Sequence, residues 1–190
     1  RSSPVQVNTS LVTSWSIVSA GASHSAGIDA INSRPYTWGN NGAVGLLGDG
    51  TTIDKSSPVQ ILISSNSWIT VGAKFKHAFA INQVGAMYGW GLNSDGNLAL
   101  GNQTSYSSPK QVGALTNWST ISVGVNGAAS IKTDGTLWTW GWNNYFGGQL
   151  GLGNLTDYSS PKQVLPSFTM KGDQDLKFWM RPIRTDGSWM

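Results

Sequence analysis

The stretch TDGTLWTWGWNNYFGGQLGLGNLTDYSSPKQV, residues 133–164, crowds three tryptophans and six glycines into one short segment. Its closing hexapeptide SSPKQV has relatives at Ser2–Val7, Ser56–Ile61 and Ser107–Val112, with prolines at 4, 58, 109 and 161. Its Trp-Gly pair, residues 140 and 141, recurs as Trp38-Gly39 and Trp90-Gly91. A third anchor keeps the same period: Trp15, Trp68 and Trp118 each run toward a glycine, at 21, 72 and 124. The glycine-and-leucine segment that follows Trp-Gly also recurs, as GAVGLLGDGT from Gly42, GNLALGNQT from Gly96 and GGQLGLGNLT from Gly147. The glycines therefore mark a repeat of about fifty residues, a period characteristic of solenoids and propellers.

Each unit reads as four short strands. In the third, Trp118–Val123 is the first strand and Ala128–Lys132 the second; Thr133-Asp134-Gly135 turns the chain into Thr136–Trp140, and SSPKQV is the fourth. Asp-Gly between two alternating runs is a hairpin signal, because both central turn positions favour positive φ. Pro161 lacks an N–H and belongs at an edge or a strand start. Four strands per fifty-residue unit make a propeller blade. The expected architecture is an all-β propeller within one domain, residues 1–190. Residues 1–7 end one blade, 8–61, 62–112 and 113–164 are three full blades, and 165–190 begin a further one.

Composition agrees. All nine acidic residues are Asp, and Gly, Ser, Thr and Asn abound, which favours strands and tight turns over long helices. Net charge is +3, but the twelve Lys and Arg are scattered, so no concentrated phosphate-binding stripe points to nucleic acid. The densest basic patch, Lys171, Lys177, Arg181 and Arg184, is interleaved with Asp173, Asp175 and Asp186 and reads as solvated surface. The absence of cysteine excludes disulfides, thiolate metal sites and cysteine nucleophiles. No apolar run reaches the roughly 18 residues of a membrane helix.

These repeats resemble those of the regulator-of-chromosome-condensation family. The residues that carry the resemblance are Gly21-Ala-Ser-His24, Thr133-Asp134-Gly135, the three Trp-Gly pairs and Gly148-Gln149-Leu150-Gly151. The second unit departs from the pattern with Gly72-Ala-Lys-Phe-Lys-His77, read as two residues longer, and the third has Gly127 in place of the His. Gln149 has Asn97 as its counterpart. Kelch propellers share the period but have a recurring double glycine that is missing here. The resemblance implies blades of a seven-bladed ring, which the remaining blades or neighbouring chains would complete. It does not by itself imply the founder's exchange activity on a small GTPase, because fold and function separate.

Candidate sites are few. His24 and His77 occupy corresponding places in successive units and have no repeat-matched carboxylate, which argues for a repeated structural hydrogen bond over a metal site. GGQLGLG lacks the Lys-Ser/Thr of a phosphate loop and a following helix, so its glycines are turns. Asp49, Asp54, Asp95, Asp134, Asp157 and Asp186 lie in turn contexts where short carboxylates cap backbone groups, and no acid/base pair or nucleophile elbow stands out. Trp138, Trp140 and Trp142 alternate and would share one strand face. Trp142 is the candidate binding residue, because its counterparts Asn40 and Leu92 show that blade packing does not require it. Four glycosylation triplets, at Asn8, Asn102, Asn117 and Asn154, matter only in a secreted eukaryotic chain.

The expectation is a non-catalytic scaffold, with no cofactor or metal, that binds a protein or a glycan through its blade loops as a structural or adhesive component of an extracellular, cell or virion surface. The alternative is an intracellular regulator of a small GTPase or a chromatin-binding protein.

Overall fold

The computed structural model describes residues 3, 6–7, 12–63, 67–144 and 147–165. The first sheet is β1 (Trp15–Ala20), β2 (His24–Asp29), β3 (Pro35–Gly39) and β4 (Lys55–Gln60). The second is β5 (Trp68–Lys74), β6 (His77–Asn82), β7 (Met87–Gly91) and β8 (Tyr106–Gln111). The third is β9 (Ser122–Val123), β10 (Gly127–Ile131), β11 (Leu137–Gly141) and β12 (Tyr158–Gln163). Each sheet is antiparallel with its strands side by side in chain order, and the described residues contain no helix. The fold is the all-β propeller that the repeat predicts. Apart from residues 3, 6–7 and 165, the terminal part-blades lie outside the described residues, as do the basic patch and the Ile183–Trp189 side of a pairing with Pro4–Val7 that would close a ring within one chain.

Burial follows strand position. All six residues of β6 are buried, because sheets pack on both of its faces, whereas β4, β8 and β12 are outer edges. The prolines sit in those edges. The ladder jumps from Thr37↔Val59 to Gly39↔Lys55, from Gly89↔Lys110 to Gly91↔Tyr106 and from Thr139↔Lys162 to Gly141↔Tyr158. Pro58, Pro109 and Pro161 fall within these bulges, where a missing N–H costs no ladder bond. The first strand of the third blade is shorter than expected. Trp118 makes only an isolated bridge to Lys132, and the N–H groups of Ser119 and Thr120 both turn to the carbonyl of Ile131. The Thr120 hydroxyl then accepts the Ile131 N–H, so a side chain replaces the ladder there.

Two seams join the three blades, and they share the same bonds. Trp90 Nε1 donates to the carbonyl of Leu46 at 3.0 Å, and Trp140 Nε1 to that of Asn97 at 3.0 Å. Gly50 N–H reaches the carbonyl of Ser107 (2.9 Å), as Gly101 N–H reaches that of Ser159 (2.7 Å). On the opposite rim, Trp68 N–H bonds Ser33 O and Trp118 N–H bonds Gly85 O, each at 3.0 Å. Apolar side chains fill the space between: Ile28, Ile61, Val71 and Trp90 in one seam, and Phe79, Leu98, Trp118 and Trp140 in the other. The indoles of Trp90 and Trp140 find their acceptors across the seam, each combining a large apolar area with one directional bond.

Candidate functional site

The Trp-Gly pair builds one rim of the propeller. Gly39, Gly91 and Gly141 have φ of +111°, +98° and +103°. A Cβ on Gly39 or Gly91 would lie 2.6 Å from the carbonyl oxygen of Ser23 or Lys76, and one on Gly141 would strike that of Asn126. Glycine permits this approach, and the next residue uses it: the N–H groups of Asn40, Leu92 and Trp142 donate to those same three carbonyls at 2.9, 2.8 and 2.8 Å. Ser23, Lys76 and Asn126 are the second residues of the two-residue turns Ala22-Ser23, Phe75-Lys76 and Val125-Asn126, which join the first and second strands of each blade. One backbone frame thus recurs three times and holds side chains that do not recur.

Behind the rim a buried asparagine locks each long loop. Asn41, Asn93 and Asn143 have no exposed surface. Each accepts a bond at Oδ1 from the N–H of Leu47, Leu98 or Leu150 (2.8, 2.8 and 2.9 Å). Each also donates from Nδ2 to loop oxygens, as Asn93 does to the carbonyls of Asn102 (3.0 Å) and Thr104 (2.9 Å). Their own N–H groups are capped by Asp54 (2.7 Å), Ser105 (3.1 Å) and Asp157 (2.6 Å). Asp49 and Asp134 cap the N–H groups of Thr51 and Thr136, so these carboxylates serve turns, as the sequence suggests. Asn102-Gln-Thr104 and Asn154-Leu-Thr156 do the same: each Asn Oδ1 accepts the N–H of the Thr two residues on, at 3.0 Å. The triplets are Asx turns, counterparts of Asp49-Gly-Thr51.

Several expectations change. Lys74 pairs with His77, so Lys74 is the counterpart of Gly21 and Gly124, and the second hairpin is no longer than the others. Gly72 instead lies in the seam, where a Cβ would come 2.7 Å from Val123. His24 and His77 are both buried, but none of their four ring nitrogens makes a hydrogen bond, because the surrounding backbone is already paired in the ladders His24↔Gly39 and His77↔Gly91. The His77 ring packs edge-on to Phe79, 6.0 Å between centres. Burial, with a smaller push from His24, lowers its pKa to about 4; the Gly127 backbone beside it opposes this without reaching hydrogen-bond geometry. Burial lowers that of His24 also. Among the described residues no three metal-ligating side chains gather.

Trp138 and Trp140 lie in β11, but Trp142 does not share their face: the bulge and positive φ at Gly141 turn it out of the sheet onto the rim. It is half-buried, with Nε1 donating to Asn144 Oδ1 (2.6 Å) and its carbonyl accepting from Gln149 Nε2. On the opposite rim, the third blade holds Lys132 where the others have Asp29 and Asn82. Its Nζ lies 3.6 Å from the ring centre of Trp138 and 4.7 Å from that of Trp118. Desolvation there lowers the lysine pKa, and Asp134 partly opposes it.

The family model for the Regulator of chromosome condensation (RCC1) repeat matches residues 84–131 and 134–172. The Ultraviolet-B receptor UVR8 of Arabidopsis thaliana is 33% identical over 151 residues, 78% of this chain and 33% of the receptor. The chain carries repeats of the regulator-of-chromosome-condensation type. Another relative is the X-linked retinitis pigmentosa GTPase regulator of Canis lupus familiaris, 31% identical over 77% of this chain and 15% of that protein. Among solved structures of this RCC1 type, Prp20p from Saccharomyces cerevisiae superposes with a TM-score of 0.71 at 16% identity, over 82% of this chain and 39% of that one, a likeness of fold. The chain spans a third or less of the two curated relatives. The chain has the RCC1-repeat propeller fold, and no helix among its described residues is long and apolar enough to cross a membrane. The named relatives give no support to an extracellular, adhesive or virion role.

Proposed function

We propose that this chain is a non-catalytic part of a regulatory propeller that docks a protein partner on the Trp-Gly rim. The observation that carries the reading is the contrast built into that rim: a thrice-repeated frame of backbone bonds holds Asn40, Leu92 and Trp142 beside the turns Ala22-Ser23, Phe75-Lys76 and Val125-Asn126. A fixed scaffold with differing exposed loop residues is the arrangement binding surfaces use. The first blade places Asn40, Ala22 and Ser23 there, whereas the second and third add large apolar side chains, with Phe75 37% and Val125 48% exposed and Leu92 and Trp142 half-buried. In this reading the three sheets belong to a ring of seven such blades, completed by further blades or neighbouring chains, and Trp142 is an anchor of the docking surface.

The regulatory alternative is favoured over adhesion. One relative is named a receptor and another a GTPase regulator, and the yeast structure is titled for binding to Gsp1p and histones. The setting that accords with this is the cell interior, with a small GTPase or a chromatin protein as the partner class. The test is to immobilise the chain and present purified small GTPases, GDP-bound and nucleotide-free, core histones, and a glycan array. Protein binding that Val125→Ser with Trp142→Ser abolishes is the expected result. Glycan binding lost in Trp142→Ser, with no protein bound, would overturn the proposal.

A further inference from the structure

The three hairpin turns share a frame, but one of them is built differently. Where the first and third blades have Gly21 and Gly124, the second has Lys74, followed by Phe75 and Lys76. Phe75 has a φ of +47°, a left-handed conformation that an aromatic residue adopts at a cost and that glycine or asparagine takes readily. The strained backbone holds the ring out at the rim, and Lys76 Nζ stands 5.4 Å from the ring centre. Residues held against their backbone preference concentrate where function over-determines them.

No ion pair engages the two cations of this turn. Among the described residues the one ion pair is Lys55 with Asp49, so neither Lys74 nor Lys76 is paired with a carboxylate. Of the rim carboxylates, Asp54 and Asp157 are committed to the N–H groups of Asn41, Asn143 and Asn144, and Asp95, in the same blade as the turn, accepts the Ser94 hydroxyl. Building on the docking role proposed above, we infer that Lys74-Phe75-Lys76 receives an acidic segment of the protein partner, with carboxylates on the two ammonium groups and an aliphatic or aromatic side chain against Phe75. Two cations around one exposed ring suit a short acidic motif with an apolar anchor. They fall short of the continuous basic track a nucleic-acid backbone requires.

Fluorescence anisotropy tests this with three labelled probes on the intact chain: the peptide Asp-Glu-Leu-Asp-Glu-Phe-Asp-Glu, its counterpart with Lys at every acidic position, and a twelve-nucleotide single strand. The acidic peptide alone should bind, with affinity falling as salt rises. Lys74→Ser with Lys76→Ser should weaken it at least tenfold. Phe75→Asn should do the same while leaving the melting temperature unchanged or higher, which separates lost recognition from lost folding. Equal binding of both peptides, tighter binding of the oligonucleotide, no binding of the acidic peptide, or full affinity in these variants would overturn the inference. If protein capture survives the lysine variants but not Val125→Ser with Trp142→Ser, the docking rim stands and its acidic specificity falls.

Discussion

Asn40 and Asn41 are neighbours in the chain, as are Leu92 and Asn93, and Trp142 and Asn143, yet the two columns obey different rules. The second residue is asparagine every time, fully buried, and bonded at both ends of its amide. The first is asparagine, leucine or tryptophan, and its N–H reaches a turn carbonyl whatever the side chain. The loop needs one side chain that can donate and accept at a single buried point, and asparagine supplies both. The rim needs only a backbone N–H there, which lets the side chain differ from blade to blade. A one-residue step therefore separates what holds the blade together from what it can display.

The strongest way to break that contrast is Asn93→Ala. It strands the N–H of Leu98 and the carbonyls of Asn102 and Thr104 without partners, so thermal unfolding should show a loss of about 3–5 kcal/mol. Leu92→Asn, one residue away, should change stability by less than about 1 kcal/mol. Acidification probes the frame next. His77 titrates near 4 in the folded chain and near 6.5 unfolded, so the unfolded chain takes up the proton first. Stability present above pH ~6.5 should therefore fall by about 3 kcal/mol as the pH drops toward 4, with His24 acting in the same sense. Denaturant midpoints measured across that range should show the slope, and His77→Ala should flatten most of it. Trp90→Phe removes the indole donor to Leu46 and part of the seam's packing; about 2 kcal/mol should be lost in the same assay. Trp142→Ser should cost the least, below about 1 kcal/mol by thermal melting, because the frame bond it makes belongs to its backbone.

The sequence reveals the blades more readily than the rim, for a physical reason. Prolines and Trp-Gly pairs at a fixed period mark bulges and close approaches that every blade must make, so the fold can be read from spacing. Trp142 stands out by the same logic, as an aromatic where its counterparts are Asn and Leu. Lys74-Phe75-Lys76 does not, because aligning Gly72 with Gly21 makes the second hairpin look longer and turns its tip into an insertion. Counting back three residues from His77, as from His24 to Gly21, puts Lys74 in place and shows the exposed ring. The asparagine of Trp-Gly-x-Asn is equally visible at 41, 93 and 143, but its role depends on where loop carbonyls point, which no spacing reports. The aromatic pair beside Lys132 does recur, as Trp15 with Tyr36 and Trp68 with Tyr88; only the lysine is peculiar to the third blade, where the others carry Asp29 and Asn82.

The seam bonds also impose an order in time. Leu46 waits for an indole 44 residues further along, and Asn97 for one 43 residues further along. At a synthesis rate of about 5–20 residues per second, the first loop is exposed for roughly 2–9 s before the tryptophan that clasps it has even been made. Each blade is thus finished by its successor, and a nascent chain carries one unsealed loop at its growing end until the next Trp-Gly pair emerges.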